Sequence, residues 1–323
     1  MGYLIGTDEA GYGPNLGPLV ISTTVWEAPD EVDGETLSDR LAHLIATNPS
    51  RVDANGGPYV AMADSKKLYA SGKGVRHLER GLWAAMGLLD RHPKKWSDVW
   101  PAIAPESLDP MSAIPWYVGY EESMPREYDD AGLESLVGAL RAGLAAVGVR
   151  LAAVRSRVIF VEEFNALVDR HGSKGAALSQ QTLALAARMM KPLGPGPISL
   201  VCDKHGGRNR YGALLAEHFP EWLIEVRGEG RERSSYRFGP PERRVNVCFR
   251  TKAEACLPVA LASMASKYLR ELAMRALNEY WSRRVPGLCP TAGYPLDAKR
   301  FRADIAHARK QLSIPDRILW RSR

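Results

Sequence analysis

The segment Gly6-Thr7-Asp8-Glu9-Ala10-Gly11-Tyr12-Gly13-Pro14-Asn15-Leu16-Gly17-Pro18 constrains this chain more than any other part of it. Tyr3 to Thr7 reads as a short apolar strand, and two adjacent carboxylates end it. Glycines and prolines then follow too densely for extended structure, so a turn separates this strand from the next. The second strand, Pro18 to Trp26, is rich in Val, Ile, Thr and Trp. Side chains alternate along a strand, so Asp8 and Glu9 would face opposite ways if the strand ran on. A turn starting at Glu9 would instead let both carboxylates approach one cation. A bare Asp-Glu pair at a strand end is also compatible with simple solvation, so the rest of the chain has to decide.

The bulk properties narrow the class. The chain has 323 residues, 45% of them apolar and 25% charged, which is the composition of a soluble globular protein. No run approaches the roughly 20 apolar residues of a membrane span. The first residues, Met1-Gly2-Tyr3-Leu4, lack a basic segment followed by an apolar core, so no leader is expected. The net charge of +6 and pI of about 9.1 suit a polyanionic partner without requiring one. Cys202, Cys248, Cys256 and Cys289 form no C-x-x-C pair and no zinc-finger spacing with His. They read as reduced thiols, and a cytoplasmic monomer is the expectation.

Further elements follow from pattern. Residues 34–48 and 75–89 read as helices. Residues 91–130, dense in Trp and Pro, read as an ordered insertion packed on the core, because disordered segments are poor in aromatics. Leu133, Leu136, Val137, Leu140 and Leu144 fall on one helical face, with Asp129 or Asp130 as cap and Gly148 as terminator. Residues 157–161 read as a strand. Ala176 to Met190 reads as a helix capped by Ser173, and Pro197 to Cys202 as a buried strand ending at Asp203. Residues 227–244, with six Arg and three Glu around Tyr236 and Phe238, look like an exposed arm. A long helix is expected from about Leu257 to Trp281, with Pro258 tolerated in its first turn.

The opening segment resembles the first motif of the type 2 ribonucleases H (ribonucleases HII and HIII), G-x-D-E-A-G-R-G-x-x-x-G-P. Every position matches except that Tyr12 stands where the pattern has Arg. Further segments are similar to later motifs, in the same order. Asp64-Ser65-Lys66-Lys67-Leu68 resembles D-S-K-K-L. Glu162, Glu163 and Asn165 resemble an acidic-Asn segment before a helix. Val201-Cys202-Asp203 is similar to the strand ending in the third catalytic Asp. Lys252-Ala253-Glu254-Ala255, followed by Ala262-Ser263 and Lys267, resembles K-A-[DE]-x leading into an A-A-S-x-x-A-K helix. Gly293-Tyr294 resembles a late G-Y pair.

The resemblance implies an α/β ribonuclease H-like mixed sheet flanked by helices, in one elaborated domain. Insertions would lie at about 30–57, 91–150 and 217–247, with a helical C-terminal part from about 257. It implies Asp8, Glu9, Asp203 and Glu254 as catalytic and metal-binding carboxylates holding two Mg²⁺ or Mn²⁺ ions, with Asp8 between them. Such a pair, about 3.5–4 Å apart, stabilises the attacking and leaving oxygens of an in-line displacement, and hard cations of this kind prefer carboxylate and water. Gly11, Tyr12, Gly13, Ser65, Lys66, Lys67 and Tyr294 are implied as substrate contacts. His205 could assist the chemistry or merely pack.

The implied activity is endonucleolytic hydrolysis of the RNA strand of RNA/DNA hybrids. The alternatives are a non-cleaving nucleic-acid binding protein of the same fold and a relative acting on a DNA junction. A nucleotide-binding reading of the Gly-rich turn lacks the G-K-[ST] ending. In ribonuclease HII the G-R-G turn and the late Tyr read a ribose 2′-OH, the group that separates RNA from DNA. With Tyr12 in place of Arg, hybrids with several consecutive ribonucleotides are expected to be favoured.

Overall fold

The computed structural model describes residues 1–30, 32–52, 60–69, 74–127 and 132–322. A seven-stranded mixed sheet runs through it in the order β5-β2-β1-β6-β9-β8-β7. The strands are β1 (Gly2–Ala10), β2 (Leu19–Ala28), β5 (Arg150–Ile159), β6 (Ile198–Asp203), β7 (Glu225–Glu229), β8 (Arg233–Phe238) and β9 (Val245–Arg250). A separate parallel pair, β3 (Ile45–Ala46) and β4 (Val60–Ala61), stands outside this sheet. β1 pairs antiparallel with β2, and β2 with β5, while β1, β6 and β9 run parallel to one another. The C-terminal ends of those three central strands therefore open on one edge.

Helices cover both faces. The chain places α1 (Gly34–Arg40), α2 (Ser65–Leu68), α3 (Arg76–Leu88), α4 (Trp96–Ile103), α5 (Leu108–Ser112) and α6 (Leu133–Ala146) before β5. Then come α7 (Val161–His171), α8 (Lys174–Met190) and α9 (Gly212–His218). The C-terminal part is helical, with α10 (Leu257–Ser282), α11 (Pro295–Asp304) and α12 (Ala306–Gln311). One sheet face presents Ile5, Leu200, Cys202, Val247, Phe249, Tyr236 and Phe238 to Leu183, Ala186 and Met190 of α8 and Leu215 of α9. The opposite face of β1 and β2 carries α10, whose start touches the strand backbone itself. A Cβ on Gly6 would lie 2.2 Å from the carbonyl carbon of Pro258. Thr24 Oγ1 also donates to the Pro258 carbonyl at 2.7 Å. No helix among the described residues is long and apolar enough to cross a membrane.

Several boundaries move for physical reasons. β1 continues through Asp8 and Glu9 to Ala10, with Asp8 opposite Ser22 and Glu9 opposite Ile21, so the turn begins at Gly11 and not at Glu9. The helix expected over 34–48 stops at Arg40, and β3 follows it. The strand expected at 157–161 starts at Arg150, and Val161 opens α7. Arg150, Arg155 and Arg157 hid its two-residue period, because they pair with Glu27, Glu106 and Glu163 rather than lying in a loop. The Arg-rich stretch is a hairpin of the sheet and not a free arm, since Tyr236 and Phe238 are buried between its arginines. The 91–130 segment contains α4 and α5 and buries Trp96, Trp100 and Trp116. Helix α6 buries all five of the leucine-face residues. Its expected caps, Asp129 and Asp130, lie outside the described residues. Ser173 does cap α8, accepting from the Ala176 N–H at 3.1 Å. All four cysteines are free thiols.

Candidate metal centre

The three parallel strands bring acidic side chains together at their C-terminal ends. Thr7 of β1 is in register with Cys202 of β6, so the next residues, Asp8 and Asp203, stand side by side. Beyond β9 the chain turns through Lys252 in the left-handed conformation (φ 56°) into a 3-10 turn, Ala253–Ala255, that carries Glu254. One carboxylate oxygen each from Asp8, Asp203 and Glu254 lies within 4.8 Å of the other two. Glu9 points to the other side of β1 and is not part of this close trio. It remains within electrostatic reach, because the charges of Asp203 and Glu254 both act on it.

The electrostatics of the cluster are those of carboxylates short of counter-charge. Burial, then the charges of Glu9 and Glu254, hold the Asp8 carboxyl well above its usual range, against a hydrogen bond from Ser263. Burial and Asp203 push Glu9 up to about 8, with Lys66 opposing. Burial and Glu254 raise Asp203 to about 6, although the Ala253 and Lys204 N–H groups favour its ionised form. Oδ1 of Asp203 is buried with no hydrogen-bond partner among the described residues. A buried carboxylate oxygen left unpaired is costly. Hard divalent cations take oxygen ligands at about 2.0–2.6 Å, and a trio this close fits that chemistry.

Around the carboxylates, α10 supplies hydroxyls. The Ser263 hydroxyl lies between the Asp8 carboxylate and Ser65 Oγ, the latter 3.0 Å away. Ser266 Oγ donates to the Asp8 backbone carbonyl at 3.0 Å and lies 2.8 Å from Ser22 Oγ, which is 2.7 Å from Ser156 Oγ. Asp64 caps the short α2 by accepting from the Lys66 N–H at 2.9 Å. Burial lowers the Lys66 ammonium pKa, but the charges of Asp64, Glu254, Asp8 and Asp203 together outweigh it and raise it. Lys66 is therefore a cation of this cluster. Lys67 is exposed.

The turn between β1 and β2 is held from below by two buried arginines. Arg270 of α10 donates to the carbonyls of Pro18 (2.7 Å), Leu16 (3.1 Å) and Ala292 (3.1 Å). Arg321 donates to the carbonyls of Gly11 and Pro14. Gly11 has φ 89°, and a Cβ there would meet the Pro18 carbonyl oxygen at 2.5 Å, so only glycine fits. Gly13 lies in open space. Tyr12 leans toward Gly175 and Gly206 and lines an open cavity of about 640 Å³ with Lys174, His205 and Arg208. Gly293 accepts from the Asn15 N–H at 2.8 Å, which sets the exposed Tyr294 beside the turn.

Other residues singled out in the sequence take structural places. His205 is buried, with Nδ1 3.1 Å from Ser179 Oγ and its ring against Tyr211 and Phe249. Burial, helped by Arg208, pulls its pKa down to about 3, so it is neutral at physiological pH and suited to packing rather than proton donation. Glu162 and Glu163 pair with Arg317 and Arg157. Asn165 holds the C-terminal tail through the Trp320 carbonyl (3.0 Å) and the Ser322 N–H (3.0 Å). Nothing in the sequence marked Arg270 or Arg321, because a functional anchor and a surface arginine look alike until burial is known.

No family model and no curated protein matches the chain. Solved structures do. Its structural neighbours are ribonucleases HII and HIII. The ribonuclease H2 of Pyrococcus horikoshii OT3 matches at 16% identity and TM-score 0.42, over 98% of this chain and 92% of that one. The PCNA:RNase HII complex from Archaeoglobus fulgidus matches at 15% identity and TM-score 0.42, over 99% and 94%. Bst-RNase HIII in complex with Mn²⁺ matches at 14% identity and TM-score 0.40, over 99% of this chain and 66% of that one.

Proposed function

We propose that the protein is a metal-dependent endonuclease that hydrolyses the RNA strand of RNA/DNA hybrids. The observation that carries this reading is the convergence of Asp8, Asp203 and Glu254 within 4.8 Å, with Glu9 within reach of the charges of Asp203 and Glu254. Asp8, Asp203 and Glu254 would hold the ions, with Glu9 completing the set. Bound divalent ions of this class stabilise the charge that builds on the attacking and leaving oxygens of a phosphodiester. Ser266 anchors the backbone of Asp8, and Ser263 stands beside its carboxylate. Lys66 offers a positive charge beside the cluster for a substrate phosphate. The Gly11–Gly13 backbone and Tyr294 border the same edge and are the proposed contacts to the ribose.

The test is to incubate the protein with an RNA/DNA hybrid, a DNA duplex carrying one ribonucleotide and an all-DNA duplex, in Mg²⁺ and in Mn²⁺, and to map the cuts. Cleavage confined to the RNA strand supports the proposal. Binding without cleavage in either metal leaves a nucleic-acid binding protein, and cleavage of DNA alone leaves a DNA-directed nuclease.

A further inference from the structure

The sheet does not stop at the metal centre. β8 and β9 continue it, and apart from Cys248 their side chains facing the same way as Asp203 are polar or basic. Strand register fixes the arrangement. Asp203 pairs with Arg250, and Arg250 pairs with Arg233. One step back, Val201, Cys248 and Ser235 align, and then Ser199, Asn246 and Arg237. Directly paired residues share a sheet face, so Arg250 and Arg233 form a row leaving Asp203 sideways, with Arg237 behind it. The other side of the same strands is apolar and buried under α8 and α9. Helix α10 packs on β1 and β2. Arg233 and Asn246 are exposed, while Arg237, Arg250 and Ser235 are half-buried. Nε of Arg237 is buried with no partner among the described residues. On β7, Glu225 stands opposite Arg237 and is engaged by Arg227.

We infer that this open face of β8 and β9 is a second nucleic-acid contact, a track for the phosphate backbone of the duplex flanking the metal centre. The inference rests on the nuclease reading for its substrate but not for its geometry. Neighbouring strands lie about 4.8 Å apart. Arg233, two strands from Asp203, is thus displaced by roughly 10 Å, about three base-pair steps of 3.4 Å. A cluster of carboxylates repels phosphate, and cations set beside it in the same plane offset that repulsion where the backbone leaves the site. The hairpin built from β7 and β8 supplies these cations at positions remote from the reacting bond. They would read charge and not sequence or sugar.

The experiment uses the full chain with Arg233→Gln and Arg237→Gln combined. Fluorescence anisotropy in EDTA measures the affinity for an RNA/DNA hybrid and for a DNA duplex of equal length across a salt series. We expect affinity to fall roughly tenfold for both duplexes and the log–log salt slope to drop by about 1.8, or about 0.9 per phosphate contact. The Arg233→Lys, Arg237→Lys pair should restore most of the slope. Arg283→Gln with Arg284→Gln, which removes equal charge at the far end of α10, should leave it unchanged. In cleavage assays the loss should appear as a higher KM for the hybrid. An unchanged slope, a loss confined to the hybrid, or an equal loss in the α10 control would overturn the inference. Wild-type protein that binds both duplexes without cutting sinks the nuclease reading alone. Protein that binds neither sinks both.

Discussion

Arg321 donates through Nη1 to the carbonyl oxygen of Gly11, a partner 310 residues earlier in the chain. The contact closes the fold on itself, since the Arg321 N–H also donates to the Asn15 carbonyl at 2.9 Å. Its guanidinium is fully buried over the Phe164 ring, and Nε and Nη2 have no partner among the described residues. Burial, with the neighbouring Arg270 charge, holds its pKa well below the usual arginine range.

Removing this side chain outright leaves a hole and unpaired carbonyls. Arg321→Ala should destabilise the protein by about 2–4 kcal/mol, since buried polar networks lose both packing and hydrogen bonds when truncated. Arg321→Met fills the space and removes a buried charge whose desolvation is itself unfavourable, so it should cost clearly less. Denaturant unfolding of both variants measures the difference. Equal losses would mean that the hydrogen bonds, not the packing, carry the effect.

Asp8→Asn should abolish metal-dependent cleavage while making the metal-free protein more stable. The amide keeps the shape of the carboxylate but removes a charge that burial and two neighbouring acids disfavour. Thermal unfolding in EDTA should show a higher midpoint for the variant, and Mg²⁺ should raise the midpoint of wild type more than that of the variant. Undiminished turnover would place the chemistry elsewhere.

The metal-free protein should lose stability as pH rises from about 4.5 to about 8. Folding raises Glu9 from 4.5 to about 8 and Asp203 to about 6, so the native state keeps protons that the unfolded chain has released. More protons on the native state means that stability falls with rising pH through that window. A divalent ion binds the deprotonated forms, so Mg²⁺ should flatten the decline. Unfolding midpoints across this range, with and without Mg²⁺, test both halves.

His205 makes the opposite prediction at the acid end. Its folded pKa is near 3 against an ordinary 6.5, so below pH 6.5 the unfolded chain takes up a proton that the native state refuses. This group's own contribution to stability is lost as pH falls from 6.5 toward 3. His205→Gln should remove that contribution, so the unfolding midpoint of the variant should gain on that of wild type as pH falls between those limits.

Substrate choice should follow Tyr12. Its side chain packs toward Gly175 and Gly206, so no guanidinium extends from this turn toward a scissile phosphate. Initial rates should be higher on a duplex with four or more consecutive ribonucleotides than on one with a single ribonucleotide, because an A-like duplex offers more shape and more 2′-OH groups to read. Tyr12→Arg should narrow the gap. Equal wild-type rates on the two duplexes would show that the arginine is dispensable.

Much of this architecture was legible because it is local. The turn glycines, the Leu133–Leu144 face and the Ser173 cap each follow from a few neighbouring residues. Asp8, Asp203 and Glu254 could be named as a set only through the ordered resemblance, since no spacing rule joins positions nearly 200 residues apart. What stayed hidden depends on partners distant in sequence. The arginines of β8 read as an exposed arm, and β5 is legible only from Arg157 onward, because the strands and acids that pair with these arginines lie far away in the sequence. Burial of Arg270 and Arg321 is likewise a property of the assembled fold.

Gly6 sets a limit on how this protein can vary. With the Pro258 backbone 2.2 Å from where a Cβ would stand, β1 and α10 meet without side chains between them. Even alanine there would wedge the helix outward and carry Ser263 and Ser266 away from Asp8. In a saturation library scored for cleavage, position 6 should therefore admit no replacement, although glycine has no side chain to offer to an ion or to nucleic acid. Its intolerance would rival that of the carboxylates, and for reasons of clearance alone.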